Sequence, residues 1–583
     1  MNTLLSYYER EIAALREGAR ELSDRYPRLA AGLHMFDEGG GDPEVNNLLQ
    51  SVALLTARIS MRLDDEYAGF AEKLLEAIYP VYRRPFPACA VARLTPGSAA
   101  EEWPVGKAVR AGAGAASRIS FTTLMAVSTR DPEVTDAAFH TAGTFHCTSG
   151  ASYSGPYVEL TWHGHATERL RVFVDGDPSV VASLRDALGL GVKALLIPDP
   201  SQDGRYMDGG SVRALGFDDD FRVLDDPGTA HPGLRLLREL FAFPDKFGFF
   251  DLVHPQQMVG ASSGRLIVVL DPGVTGDGHA LERMGSANLL TRCVAVANIY
   301  RRTVGLPANR HAGTSFEIDA PALDILPGGL IAVDSVFAQS AGDVDVRREI
   351  PHFYALRRAG AGDVGPFWME GDRNERTGAE SIMFVDRVCE PVDLDYGVSL
   401  ELRCCDGDRP SRIACGTPEA KISSRSETSS ATGQLITRPT RASRFQLGKQ
   451  ATWRLVSQLA FTQVSLLEPS CSVLKQVIEL YVPPTSRWGR QMVSALVSVR
   501  HEAVTRWLPG AFPPTLARGT EIAISIDETC LVGLGLHALL RVLDVFFSQY
   551  AQMNSFTELA VLSSHTGKEL HRCAMRTGTG PLI

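Results

Sequence analysis

Residues 522–562, IAISIDETCLVGLGLHALLRVLDVFFSQYAQMNSFTELAVL, decide the fold class. Ile522, Ile524 and Ile526 alternate with Ala523 and Ser525, which places three large apolar side chains on one face of a strand. Asp527-Glu528 ends that run. From Leu536 the period changes: Leu536, Leu539, Leu540, Leu543, Phe546, Phe547 and Tyr550 share one helical face. Asn554-Ser555 stops the helix, and Phe556–Leu562 returns to a strand. The helix stripe is too apolar to face water, so it is expected to pack on the isoleucine face of the sheet. The C-terminal region, set at 450–583, is therefore expected to be an α+β domain. Val497, Val499, His501 and Ala503 add a further strand pattern, and Trp453, Val456, Leu459, Ala460 and Leu467 mark a preceding helix.

Residues 416–449 are rich in Ser, Thr and Arg and poor in core residues, and are expected to be a flexible linker or long loop. Arg357–Gly378, with several glycines, reads as another exposed loop. From 86 to 415, short β-like runs such as Ala88–Leu94, Tyr157–Trp162 and Leu170–Val174 alternate with Gly, Pro and Asp turns. A short helical pattern at Ser179–Leu188 interrupts them. This middle is expected to hold two β-rich domains, 86–225 and 226–415, the second with α+β character. No repeat of fixed period is present.

Residues 1–85 form an N-terminal helical region. Leu5, Tyr8, Ile12, Leu15, Ala19, Leu22 and Tyr26 are spaced alternately by three and four, an a/d heptad seam that keeps one stripe on a partner helix. Either a local core helix or a helix joining an intermolecular bundle fits that seam. Under the second reading Leu5, Tyr8, Ile12, Leu15, Leu22 and Tyr26 are the partner-binding residues. Gly39-Gly40-Gly41 supplies a joint. Asp42-Pro43-Glu44 then starts a second helix, with a capping carboxylate, a proline at the first helical position and an acid at the positive end of the dipole. Val45, Leu48, Val52, Leu55, Ile59 and Leu63 form its stripe, which runs on through Phe70, Leu74 and Ile78 to Tyr79-Pro80. The fold class expected overall is multidomain α+β: helical N-terminus, β-rich middle with short helices, and α+β C-terminus.

Hydrophobic residues are 44% and charged residues 22% of the 583, a globular composition. The formal net charge of −10 argues against a nucleic-acid binder, which would be basic. Ten scattered cysteines fit free thiols in a reducing cytosol. Glu9, Arg10 and Glu11 stand where a signal peptide needs an apolar run. No stretch reaches the roughly 18 apolar residues of a membrane span. A cytoplasmic protein, held at a membrane only through partners, is the expectation.

Motifs that carry chemistry do not assemble. Gly260-Ala261-Ser262-Ser263-Gly264 matches G-x-S-x-G, but a nucleophile elbow needs a strand before its serine and a helix after it. Here the polar 254–257 run precedes and the strand-like Arg265–Leu270 follows, so Ser262 reads as a turn residue, with a serine hydrolase as the rival. His163-Gly164-His165 lacks a third ligand at metal spacing, and the loose cluster Cys389, Cys404, Cys405 and Cys415 lacks the C-x2-C pairs of zinc sites, which adjacent cysteines rarely replace. Gly112–Ser117 lacks the Lys-Ser/Thr and the βαβ frame of a phosphate loop. No catalytic, cofactor-binding or metal residue is assigned, and a non-catalytic protein is expected.

An ordered set of segments resembles the TssF family (also VasA or ImpG) of type VI secretion system baseplate proteins. It runs through Tyr7–Glu11, Arg25-Tyr26-Pro27, Asp42–Val45, Leu54–Ile59, Phe243–Phe247, Asn288–Val294, Trp453–Ser457, Arg518-Gly519, Asp527-Glu528, Phe546-Phe547, Asn554–Phe556 and Gly580–Leu582. The chain departs from the family pattern at Thr529-Cys530-Leu531, where an aromatic is common, and at 571–576, which lacks a Trp-Pro-Pro-Arg-like run. The resemblance implies a cytoplasmic structural subunit of the baseplate wedge with no cofactor. It implies assembly of two TssF copies with one TssG, further contacts with TssK, TssE, the spike and the sheath, and docking to the membrane complex through these partners. The wedge would anchor the contractile tail and support sheath assembly and contraction. A wedge protein of a phage tail or extracellular contractile device is the alternative.

Overall fold

A computed structural model describes residues 2–25, 47–62, 84–96, 101–112, 119–165, 168–202, 204–225, 231–254, 261–275, 278–306, 315–318, 329–338, 348–353, 365–371, 380–394, 396–424, 431–444, 470–507, 516–549, 551 and 555–578. The glycine joint at 39–41, the helix start at Asp42, the helix beyond residue 62, the helix pattern at 453–467 and Tyr550 lie outside these residues. The chain divides into two compact units, one of residues 1–80 with 446–460 and one of residues 81–445 with 461–583. Its helices and many strands make it a multidomain α+β protein.

The first unit contains the helix Asn2–Arg25 and a second helix over 47–62.

The second unit is built by nested insertion. Its frame is a closed antiparallel barrel in the order Cys89–Leu94, Cys293–Ala297, Ile119–Thr123, Ala108–Ala111, Lys421–Ser424 and Thr432–Leu435. The strands Cys89–Leu94 and Cys293–Ala297 are rich in Ala, Val and Cys, small residues that suit a narrow interior, and closure removes free edges. The linker expected at 416–449 is corrected here. It supplies two barrel strands, joined by register pairs such as Ile422 with Ala111 and Arg93 with Gln434. Only Ile422, Gly433 and Leu435 of these strands are buried, so they need few core residues and read like a linker. The hydroxyl oxygens of Thr437 and Thr440 accept hydrogen bonds from the Val91 and Cys89 amides at 2.8 and 3.0 Å, holding the following segment to the barrel.

Between Thr123 and Cys293 the chain inserts an eight-stranded antiparallel sheet. Its order is Leu289–Leu290, Arg169–Val174, Phe249–Val253, Tyr206–Ala214, Val192–Pro198, Ser263–Leu270, Ser152–His163 and Glu133–His146. Strands on both sides of residue 225 belong to this one sheet, so the boundary expected there is not a domain boundary. The helix Pro178–Leu190 packs on it through Val180, Leu184 and Leu188. Its first turn is fixed by Asp177, whose carboxylate accepts from the Ser179 amide at 3.0 Å, with Pro178 at the first helical position. After Ala297 come two smaller sheets that share a core of Ile318, Val336, Ile350, Trp368, Phe384 and Leu400. Phe367–Glu370, inside the expected loop 357–378, is a strand of one of them.

The C-terminal sheet has Leu496–Trp507 at one edge, then Leu516–Ile526, Ser555–Ser563 and Glu569–Arg572. Leu516–Ile526 and Ser555–Ser563 run parallel, which requires a crossover, and the helix His537–Ser548 provides it. Ile522, Ile524 and Ile526 are buried, as are Leu539, Leu540, Leu543, Phe546 and Phe547. The helix buries more than one face, because Val542 and Asp544 are also shielded. On that side lies the helix Pro232–Ala242, whose Gly233 approaches so closely that an added Cβ would stand 2.5 Å from the Phe546 Cα.

The helix Pro232–Ala242 is buried from Gly233 through Phe241. Its charges are therefore internal. Glu239 accepts from Arg235 Nη1 at 3.0 Å, from the Lys246 ammonium and from the Val223 amide at 3.0 Å. Arg235 also donates to Asp219 at 2.9 Å. Lys246 lies beside the rings of Phe221 and Phe247, and burial draws its pKa down to about 8 against the raising effect of Glu239. Arg238 donates to the Arg84 carbonyl and sits over the Phe86 ring, where the chain enters the barrel. Replacing Lys246 by Met leaves Glu239 buried with one cation fewer. Denaturant unfolding is expected to show a loss of about 3–5 kcal/mol. Adding Glu239→Leu should recover part of it.

A second joint ties the eight-stranded sheet to the C-terminal domain. The carboxylate of Asp186, on Pro178–Leu190, accepts from the amides of Leu536 at 2.8 Å and His537 at 2.7 Å. It thereby caps a helix that starts 350 residues later in the chain. Burial raises the Asp186 pKa from its ordinary 3.8 to about 6, outweighing those two amides. The folded state thus holds this proton more tightly than the unfolded state does. The stability contribution is full below pH ~4 and is lost as pH rises to ~6. Asp186→Asn keeps an acceptor and removes the titration. Its unfolding free energy, measured relative to the unsubstituted chain, should rise between pH 4 and 6 and level off above. Asp186→Ala shows the same pH dependence but orphans both amides, so it should be less stable than Asp186→Asn by about 1–3 kcal/mol at every pH.

Candidate assembly interface

The seam expected on the first helix is only partly a free surface. Ile12 is 9% exposed, Tyr8 and Leu15 are half-buried, and Leu5 is 56% exposed. Leu22 and Tyr26 lie outside the residues whose side chains are described. Glu11, beside Ile12, accepts from Ser60 Oγ on the second helix at 3.2 Å, so the two helices meet on this side.

On the second helix the inner positions are small: Ala53 and Ala57 are fully buried. The stripe of large side chains points the other way. Leu48, Val52, Leu55 and Ile59 are 66, 41, 59 and 59% exposed. They keep the four-three-four spacing of a heptad seam. Four aliphatic side chains in one exposed row form a contiguous apolar patch of the kind that marks a protein contact. The sequence displays this stripe plainly. Its period cannot say which side of a helix faces its own neighbour, and Ala53, Ala57 and Ser60 carried that information.

The motifs tested for catalysis take structural places. Ser262 is exposed and directly precedes the strand Ser263–Leu270; its carbonyl accepts from the Gly164 amide at 2.8 Å. Gly264 is required by packing, since an added Cβ would stand 2.7 Å from the buried Trp162 indole. His163 and His165 are exposed. Among the described residues no group of three His, Cys, Asp or Glu side chains is placed to hold a metal. Cys404 and Cys405 are buried, and burial pushes their thiols up to about 12 and about 11. Arg301 lies 3.8 Å from Asp334, and Arg302 lies over the Tyr300 ring. Among the described residues no helix is long and apolar enough to cross a membrane.

The family model for the type VI secretion system protein TssF matches residues 1–580. The chain is 23% identical to type VI secretion system component TssF1 of Pseudomonas aeruginosa, over 99% of both chains. Its fold matches a chain in the cryo-electron microscopy structure of a TssK-TssF-TssG baseplate subcomplex, with a TM-score of 0.69 and 20% identity over 92% of this chain and 99% of that one. A second match is a chain in a type VI secretion baseplate complex, with a TM-score of 0.57 and 19% identity over the whole of both chains. With the family model covering nearly every residue, this chain belongs to the TssF family of the type VI secretion system.

Proposed function

We propose that this protein is a structural, non-enzymatic subunit of a type VI secretion baseplate that enters a helical bundle with partner subunits through Leu48, Val52, Leu55 and Ile59. The exposed heptad row carries the reading, because a soluble chain gains nothing from four aliphatic side chains in water. Leu5 and the half-buried Tyr8 and Leu15 extend the partner-binding surface onto the first helix, with Leu22 and Tyr26 continuing its seam. The partners are subunits of the TssG and TssK types, since the matched fold occurs in a TssK-TssF-TssG subcomplex. Two copies per TssG, contacts with TssE, spike and sheath, and a cytoplasmic site docked to the membrane complex complete the proposal. The function is mechanical: anchoring the tail and supporting sheath assembly and contraction.

Substituting both Leu55 and Ile59 by Glu tests it. Each position is exposed, so the unfolding free energy should stay within about 1 kcal/mol of the unsubstituted chain. Co-purification of the TssG-type partner should be lost, and sheath assembly with it. Partner capture at undiminished yield would refute the interface. Ile12→Asp, by contrast, should destabilise the helical unit itself, because that side chain is buried. Ser262→Ala should leave both folding and secretion unchanged, and a folded, assembled variant without secretion would reopen the hydrolase reading.

A further inference from the structure

The strand Leu496–Trp507 lies at the edge of the C-terminal sheet, paired on one side with Leu516–Ile526. Among the described residues no backbone bond reaches its other side. Arg500, His501, Glu502, Ala503, Thr505 and Trp507 are all exposed, Trp507 at 63%. Natural edges are usually blunted by Pro, by bulges, or by charges of one sign that repel a second strand. Residues 498–507 hold no Pro and no Lys, and the ladder's only irregularity falls before them, between Leu496 and Ser498. The charges alternate instead: Arg500, Glu502 and Arg506 lie on one face, and His501, Ala503, Thr505 and Trp507 on the other.

That order is self-complementary. Two copies of an edge strand that pair antiparallel are related by a twofold axis perpendicular to the sheet. Each residue then meets one on the same face of the second copy. With the axis at Val504, Val504 meets Val504, and Glu502 meets Arg506 twice. On the opposite face His501 meets Trp507 twice and Ala503 meets Thr505. No like charges are opposed. Moving the axis to Ala503 sets Arg500 against Arg506 twice, and moving it to Thr505 sets Val504 against Arg506. Arg506 is already held at 2.6 Å from Glu521 and 3.2 Å from Glu558, so its guanidinium is positioned before any second copy arrives. We infer that this edge is a homotypic interface, at which two copies of the chain join their C-terminal sheets through residues 501–507 in the register centred on Val504. The inference is independent of the helical interface above.

Cysteine crosslinking of the full chain reads the register. Val504→Cys should give a disulfide-linked dimer under mild oxidation, while the unsubstituted chain, with its own cysteines, should not. Ala503→Cys and Thr505→Cys should each fail alone and crosslink when mixed, because those two positions oppose each other. Glu502→Lys places like charges opposite twice and should weaken self-association by about tenfold in sedimentation experiments, with the thermal midpoint unchanged. A chain that stays monomeric at high micromolar concentration with no 504–504 link overturns the interface. An Ala503→Cys chain that crosslinks to itself overturns the register.

Discussion

A carboxylate shut away from water, that of Glu239, holds three separate segments of the large unit together. Isolating such a charge costs several kcal/mol, and only a full set of donors offsets it. Those donors are Arg235 on its own helix, Lys246 in the turn that leads into Phe249–Val253, and the amide of Val223. All three must be in place together, which fixes the helix against the turn and the preceding loop. Arg238 on the same helix reaches the Arg84 carbonyl and Phe86 at the barrel entrance. Gly233 admits the backbone at Phe546. One short helix thus registers the eight-stranded sheet, the barrel and the C-terminal domain.

Polarity is inverted at the two places that matter most here. Arg235, Arg238, Glu239 and Lys246 are inside, while Leu48, Val52, Leu55 and Ile59 are outside. The inverted positions do different jobs. A buried, fully bonded ionic cluster tolerates few alternative packings, so it favours one relative placement of its elements. An exposed aliphatic row buries little within its own unit, and its spacing is that of a heptad seam.

The same inversion explains what could be read from the residues alone. Elements whose burial follows hydropathy were legible: the alternation at Ile522–Ile526, the stripe through Phe547 and the helical pattern at Ser179–Leu188 all correspond to structure. Residues 421–435 were not, because a barrel strand with one or two inward side chains has the composition of a linker. The buried cluster was not legible either. RELFAFPDKFG carries the same charges whether they meet water or each other, and only the surrounding Phe221, Phe243, Phe247 and Phe249 distinguish the cases. The boundary at 225 failed for a topological reason: an inserted sheet returns to its parent barrel over a separation that local patterning does not encode. For the proposed interface, periodicity gave a heptad seam on the first helix and an apolar stripe on the second, but which side of the second helix turns inward depended on the small residues Ala53 and Ala57 opposite.

The groups with displaced proton affinity fit this account. In many enzymes such groups converge on an open cleft, where the shift serves a reaction. Four of them here lie instead at joints between elements. Asp186 holds the start of His537–Ser548. His537, drawn down to about 3 chiefly by burial, is wedged beside Phe217 and Phe250, and its ring fills the space left by the missing side chain of Gly189. Lys246 closes the Glu239 cluster, and Asp544, raised by burial, is anchored by Arg576. Desolvation heads the causes for all four, which is the mark of a group enclosed by assembly of the fold rather than tuned by one facing charge. Asp186, Lys246 with Glu239, and Asp544 make these contacts directional, as apolar packing alone would not, because each of their hydrogen bonds needs its donor at a fixed distance and angle. Within the large unit the relative placement of these elements is therefore specified by chemistry at a few points.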